Sequence, residues 1–172
     1  MSTPRLSDTS YAVLGLLDRF EPATPYQLKQ VAQVSIFHFW SIPHTQLYTE
    51  CARLAEAGLL NEQREKGGRR RRVYSVSAAG RKALRQWRDD PQADHFELRD
   101  PGLLKLFCGA EPEALAEAQL ERHERRLHSY QELLDQTEME EGMRLSLEAG
   151  IGHEREYVRF WSSLRDRRPG KG

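Results

Sequence analysis

The chain has 172 residues, with 26 Lys and Arg against 26 Asp and Glu, so its formal net charge is zero and overall charge singles out no partner. No run approaches the ~18 consecutive apolar residues of a membrane span, and the opening residues lack the charged-then-apolar order of a secretory signal, so a cytoplasmic protein without membrane contact is expected. With 38% hydrophobic and 30% charged residues, the composition favours amphipathic helices over one large core, and a chain of this length folds without disulfide or metal.

The first predicted element is a helix from Ser7 to Phe20, in which Tyr11, Val13, Leu14, Leu16, Leu17 and Phe20 recur at helical spacing. Thr24 followed by Pro25 is an N-cap with proline at the first helical position, and opens a second helix that ends near Val34. A third helix starts at Pro43, turns Leu47, Cys51 and Leu54 inward, and stops at Gly58. Two strand-like runs follow, Leu59 to Lys66 and Arg69 to Val76, joined by Gly67-Gly68, a pair suited to a tight hairpin turn. Ser77 caps a fourth helix that ends at Asp89-Asp90-Pro91.

Residues 91–96 read as a linker between a domain at 1–90 and a second at 97–172. The second domain reads as helical, with a short helix over Asp100 to Cys108 and a long one opened by Glu111 and Pro112. On the long helix Leu120, Leu127 and Leu134 recur every seven residues, with Tyr130 beside them, as in a coiled-coil seam, and Gly142 is expected to break it. The last helix carries Leu147, Ile151, Val158 and Trp161 on one stripe, extended by Met143 and Leu164. The fold class expected is therefore mainly α with a small β-hairpin, and the pair of long antiparallel helices reads as a homodimerisation arm. Cys51 and Cys108 both lie in apolar periodic segments and read as reduced.

The neutral total hides a division. Residues 1–90 carry 14 basic and 9 acidic side chains, whereas residues 91–172 carry 12 and 17. Three helices followed by a hairpin is the order of a winged helix-turn-helix, whose third helix enters the major groove of double-stranded DNA. With the apolar row turned inward, that helix would present His44, Thr45, Gln46, Tyr48 and Thr49, side chains able to read base edges. The hairpin places Arg64, Lys66, Arg69, Arg70, Arg71 and Arg72 within nine residues, and arginine matches phosphate geometry. A cationic wing beside a polar helix favours nucleic acid over an ordinary solvated surface.

The stretch WSIPHTQLYTECARLAEAGLL, then GGRRRRVYSVSAAGRKALRQW, resembles the PadR family of bacterial transcriptional regulators. The later stretches FELRDPGLLKLFCG and LEAGIGHEREYVRFW are similar to the C-terminal domain of its subgroup with long helical arms, which includes virulence and quorum-sensing regulators. The resemblance implies a dimeric DNA-binding repressor or activator, with the C-terminal helices of two subunits interlocked; repression is the expected sign, and a homodimer on a pseudo-palindromic operator is expected. It also implies that Tyr48 and its neighbours approach the DNA, while Pro43 stands where similar sequences often have serine near the start of that helix.

Enzymatic readings find no support. The six histidines form no Glu-x-x-His or His-Glu-x-x-His pattern, His153-Glu154 reads as a surface pair, and no phosphate loop or nucleophile elbow occurs, so neither catalytic nor metal-binding residues nor a cofactor are expected. Two alternatives remain open: a protein-interaction module on a winged-helix scaffold, and a regulator that binds a small aromatic effector among Trp87, Phe96, Phe107, Tyr130, Tyr157, Phe160 and Trp161. Aromatics at helical spacing more often fill a core, which favours packing for these seven.

Overall fold

The computed structural model describes residues 5–37, 39–64, 71–93 and 98–166, and the chain divides into two compact units at 94/95. The first unit contains α1 (Asp8–Phe20), α2 (Pro25–Ser35), α3 (His44–Glu56), β1 (Leu60–Arg64), β2 (Arg72–Val76) and α4 (Ala78–Asp89). The second contains α5 (Pro101–Phe107), α6 (Pro112–Gln136) and α7 (Glu141–Arg165).

Local chemistry sets the ends of the helices. Ser7 and Ser10 form a reciprocal capping box at the start of α1, and Thr24 and Gln27 do the same for α2, with Pro25 at the first helical position. Helix α3 has Pro43 at its N-cap and no side-chain cap. Its exit is a Schellman motif: Gly58 takes φ +72°, the Leu59 amide donates to Leu54 O at 2.9 Å, and the Gly58 amide donates to Ala55 O at 3.0 Å.

The hairpin pairs antiparallel with Leu60 opposite Val76 and Arg64 opposite Arg72. The expected Gly67-Gly68 turn, with Lys66, Arg69 and Arg70, lies outside the described residues. Ala23 bridges the free edge of β2 through two hydrogen bonds with Tyr74, of 2.9 and 3.0 Å. The core that results is drawn from all these elements and includes Val13, Leu14, Leu17, Leu28, Leu47, Cys51, Leu54, Tyr74 and Leu84. Beside it the Glu21 carboxylate accepts from the Val76 amide and pairs with Arg81, which also bonds Asp18 at 2.5 Å, so one acid ties the end of α1 to β2 and α4.

In the second unit α6 and α7 form an antiparallel hairpin. Its turn is residues 137–140; Gly142, expected to break the long helix, instead lies in the first turn of α7. Helix α6 ends six residues earlier, where Thr137 adopts extended backbone. The inward faces carry Ala116, Leu120 and His123 on α6 and Leu147, Ile151, Glu154, Trp161 and Leu164 on α7. The expected surface pair His153-Glu154 does not form. Glu154 is buried and accepts from His123 Nδ1 at 2.5 Å and from Arg126 at 3.3 Å, because α7 turns it toward α6. Helix α5, capped by the Asp100 carboxylate, packs close enough that a Cβ on Gly102 would lie 3.0 Å from the Trp161 ring.

Gly80 supplies a test of the packing of α4. A Cβ there would sit 2.2 Å from Leu59 O and 2.9 Å from Val76 Cγ1. Gly80→Ala gains up to ~1 kcal/mol of helix propensity, yet it is expected to destabilise the protein by about 1–3 kcal/mol in urea unfolding, because the obstructing atom is backbone.

Candidate nucleic-acid interface

The interface is built from the outward row of α3 and the neighbouring hairpin. Leu47, Cys51 and Leu54 are all but inaccessible, whereas His44, Thr45, Gln46, Tyr48 and Thr49 are exposed. The rings of His44 and Tyr48 meet at 4.7 Å on the first two turns, and the Thr49 hydroxyl donates back to the carbonyls of Thr45 and Gln46 at 3.1 Å. All five residues thus share one solvent-facing surface. At the base of this row Arg53 grips the Glu50 carboxylate with Nε and Nη2, at 2.9 and 2.6 Å, and holds that carboxyl below its ordinary value of 4.5. The same guanidinium reaches Ser10 of α1 at 2.9 Å.

On the hairpin Arg64, Arg71 and Arg72 are exposed. The two arginines that face each other across the ladder share one acid. Glu62 takes Arg64 at 3.5 Å and Arg72 at 3.4 Å, and also accepts from the Tyr74 hydroxyl at 3.2 Å. The linear spacing of the arginines gives no sign of this shared acid, because Glu62 comes beside Arg72 only through the pairing across the ladder. Such exposed pairs contribute little to stability and exchange readily for a phosphate.

The eight residues expected to line a dimer seam fall into two groups. Leu120, Leu147, Ile151 and Trp161 are buried within the single chain, so their surface is already spent on the α6/α7 core. Leu127, Tyr130, Leu134 and Val158 keep part of their surface open. Of the seven aromatics considered, Phe96 lies outside the described residues, Phe107 is 88% exposed, and Trp87 stacks on Tyr11 at 4.8 Å. Burial, followed by the Asp100 carboxylate, pushes the Tyr157 phenol up to about 12. The buried Trp161 Nε1 has no partner at hydrogen-bonding geometry.

Residues 13–86 match the transcriptional regulator PadR-like family, and residues 98–166 match the virulence activator alpha C-terminal family. The region 13–86 thus belongs to the PadR-like family of transcriptional regulators. That family is one of regulators and not of enzymes. The negative transcriptional regulator PadR of Bacillus subtilis is 26% identical, over 90% of this chain and 93% of its own length. The same Bacillus protein solved with operator DNA has a TM-score of 0.80 at 23% identity, covering 92% of this chain and 98% of that one; its structure with p-coumaric acid gives 0.71 over 91% and 92%. The Vibrio cholerae virulence activator AphA gives a TM-score of 0.67 at 25% identity, covering 91% and 95%. The winged-helix fold with a long helical arm is therefore that of PadR-like regulators. Among the described residues no helix is long and apolar enough to cross a membrane, and no cluster of metal-ligating side chains occurs.

Sequence reasoning about this PadR-like chain missed the roles of Ser10, Glu50, Arg53 and Glu62. Glu50 and Arg53 are three apart on a helix and could have been paired. Ser10 lies 43 residues away from Arg53, and no local pattern announces that contact.

The inward face of α3 can be checked chemically. Burial pushes the Cys51 thiol up to about 12, while Cys108 is exposed. Iodoacetamide at pH 8 is expected to label Cys108 and spare Cys51 in the native protein, and to label both in guanidinium, as read by peptide mass.

Proposed function

We propose that this PadR-like chain is a cytoplasmic, sequence-specific DNA-binding regulator, a repressor in sign, that acts as a homodimer on a pseudo-palindromic operator. Each subunit places α3 in a major groove, and the hairpin arginines hold flanking phosphates. One observation carries the reading: an exposed row of five hydrogen-bonding side chains is fixed by a fully buried opposite row and stands beside a cationic hairpin. The Bacillus subtilis relative solved with operator DNA supports it. The half-open residues Leu127, Tyr130, Leu134 and Val158 leave a seam on the arm for the second copy.

If each subunit commits about four cations, the dimer neutralises about eight phosphates, and log K falls with log salt at a slope near −7. A slope close to zero overturns the reading. Tyr48→Ala and Gln46→Ala are each expected to weaken the selected site about tenfold and leave random duplex unchanged, whereas Arg72→Ala weakens both alike. Glu62→Gln keeps an acceptor for Tyr74 and releases two arginines, so it is expected to strengthen both kinds of binding and steepen the slope. Gel shifts at several salt concentrations measure all four.

A second reading, regulation by a small phenolic effector, is favoured by the buried, partnerless Trp161 Nε1 and by the relative solved with p-coumaric acid. Release of bound DNA on titration of a phenolic acid is the result it requires.

A further inference from the structure

Two helices of this chain carry the same local pair, an acid followed three residues later by an arginine. On α7 Arg159 bonds Glu156 at 2.6 Å, and the two side chains are 77% and 59% exposed. That pair stays within its own helix and is an ordinary solvated ion pair. On α3 the Arg53–Glu50 bond has the same length, but the Glu50 side chain is only 12% exposed and the guanidinium extends to another helix.

The donor count shows what this extension does. Nη2 spends one hydrogen on Glu50 Oε1 and its other on Ser10 Oγ, while Nε reaches Glu50 Oε2. Ser10 is fully buried, and its hydroxyl also accepts the Ser7 amide at 2.9 Å. With two donors arriving, the Ser10 hydroxyl proton is directed to a remaining acceptor such as Ser7 Oγ, 3.1 Å away. The N-terminal cap of α1 and the recognition helix are thus joined in one continuous chain of hydrogen bonds. The three acceptors are met by two separate nitrogens of one planar fork, a spacing that the single nitrogen of an ammonium does not reproduce.

Burial of Leu47, Cys51 and Leu54 fixes which face of α3 turns inward, but apolar contacts are non-directional and set the fine rotation of the helix about its axis less closely than a hydrogen bond does. A roll of about 15° at a side-chain radius of about 6 Å moves a tip by about 1.5 Å, enough to lose a hydrogen bond. Thr49 lies one turn before Arg53 and Gln46 one turn before Glu50, so the linked pair sits directly beneath two of the residues assigned to base reading.

We propose that Arg53, linked through Glu50 and Ser10 to the start of α1, is a positioning residue that sets the axial rotation of α3 and with it the sequence preference of the protein. The inference rests on α3 being the DNA-reading helix. It makes Arg53 a determinant of specificity that contacts no base.

The experiment uses the full chain, a duplex that the wild type selects from a random pool, and an unrelated duplex. Arg53→Lys keeps the charge and removes the fork; Ser10→Ala removes the anchor on α1; Arg159→Lys is the control at the pair that stays within its helix. Expected is a loss of about tenfold or more for Arg53→Lys and Ser10→Ala on the selected duplex, with affinity for the unrelated duplex, and the salt slope on both, unchanged. Arg159→Lys is expected to behave as wild type. Wild-type discrimination by Arg53→Lys overturns the proposal. So does an equal loss on both duplexes, which marks a role in folding where the melting temperature falls and a direct phosphate contact where it does not. A wild type that selects no duplex overturns the DNA reading itself, a failure distinct from any behaviour of the variants.

Discussion

The burial of Leu47, Cys51 and Leu54 is the constraint on which the rest of the first unit depends. Helix α3 has 13 residues and no side-chain cap, too short to persist alone in water, so it exists because one face is packed against the core. Each such leucine contributes roughly 1.5–3 kcal/mol when removed from water. Period 3.6 then leaves no choice about the opposite face, and His44, Gln46, Tyr48 and Thr49 are turned to solvent as a consequence of where the leucines point. The hairpin inherits its place from the same helix, since the Schellman exit at Gly58 delivers the chain directly into β1.

The second unit is governed by a polar constraint inside an apolar one. His123, Glu154 and Arg126 meet between two helices that otherwise present apolar faces to each other. Apolar stripes tolerate a slide of one turn, because a leucine that moves one turn still finds apolar neighbours. A nearly inaccessible carboxylate does not, since a slid register would leave it without donors, at a cost of about 3–5 kcal/mol. The pair thereby defines the axial register of the arm.

Much of this architecture was legible in the chain. The caps at Thr24 and Ser77, the proline starts and the Gly58 stop are local chemistry, and the helix boundaries there followed from them. The inward row of α3 was equally legible, because three apolar residues at spacings of four and three admit only one face. What stayed hidden depends on contacts between distant segments. Glycine propensity placed a break at Gly142, but packing between two long helices outweighs a cost of about 1 kcal/mol, and the chain turned earlier at residues without inward apolar partners. Glu154 looked superficial because an acid within a stripe is read as solvated until its partners on another helix are known. The leucine heptad of α6 was read as one seam, yet only Leu120 is buried, since α7 crosses the face that Leu120 shares with Ala116 and His123.

That α6 and α7 cover Leu120, Leu147, Ile151 and Trp161 between themselves has a thermodynamic consequence. An arm of this kind is ordered before it meets anything, so pairing with another molecule joins two preformed surfaces and carries no ordering entropy for the backbone. If two chains pair through the half-open Leu127, Tyr130, Leu134 and Val158, as proposed, the heat-capacity change reflects the apolar area covered there, not the melting of a helix.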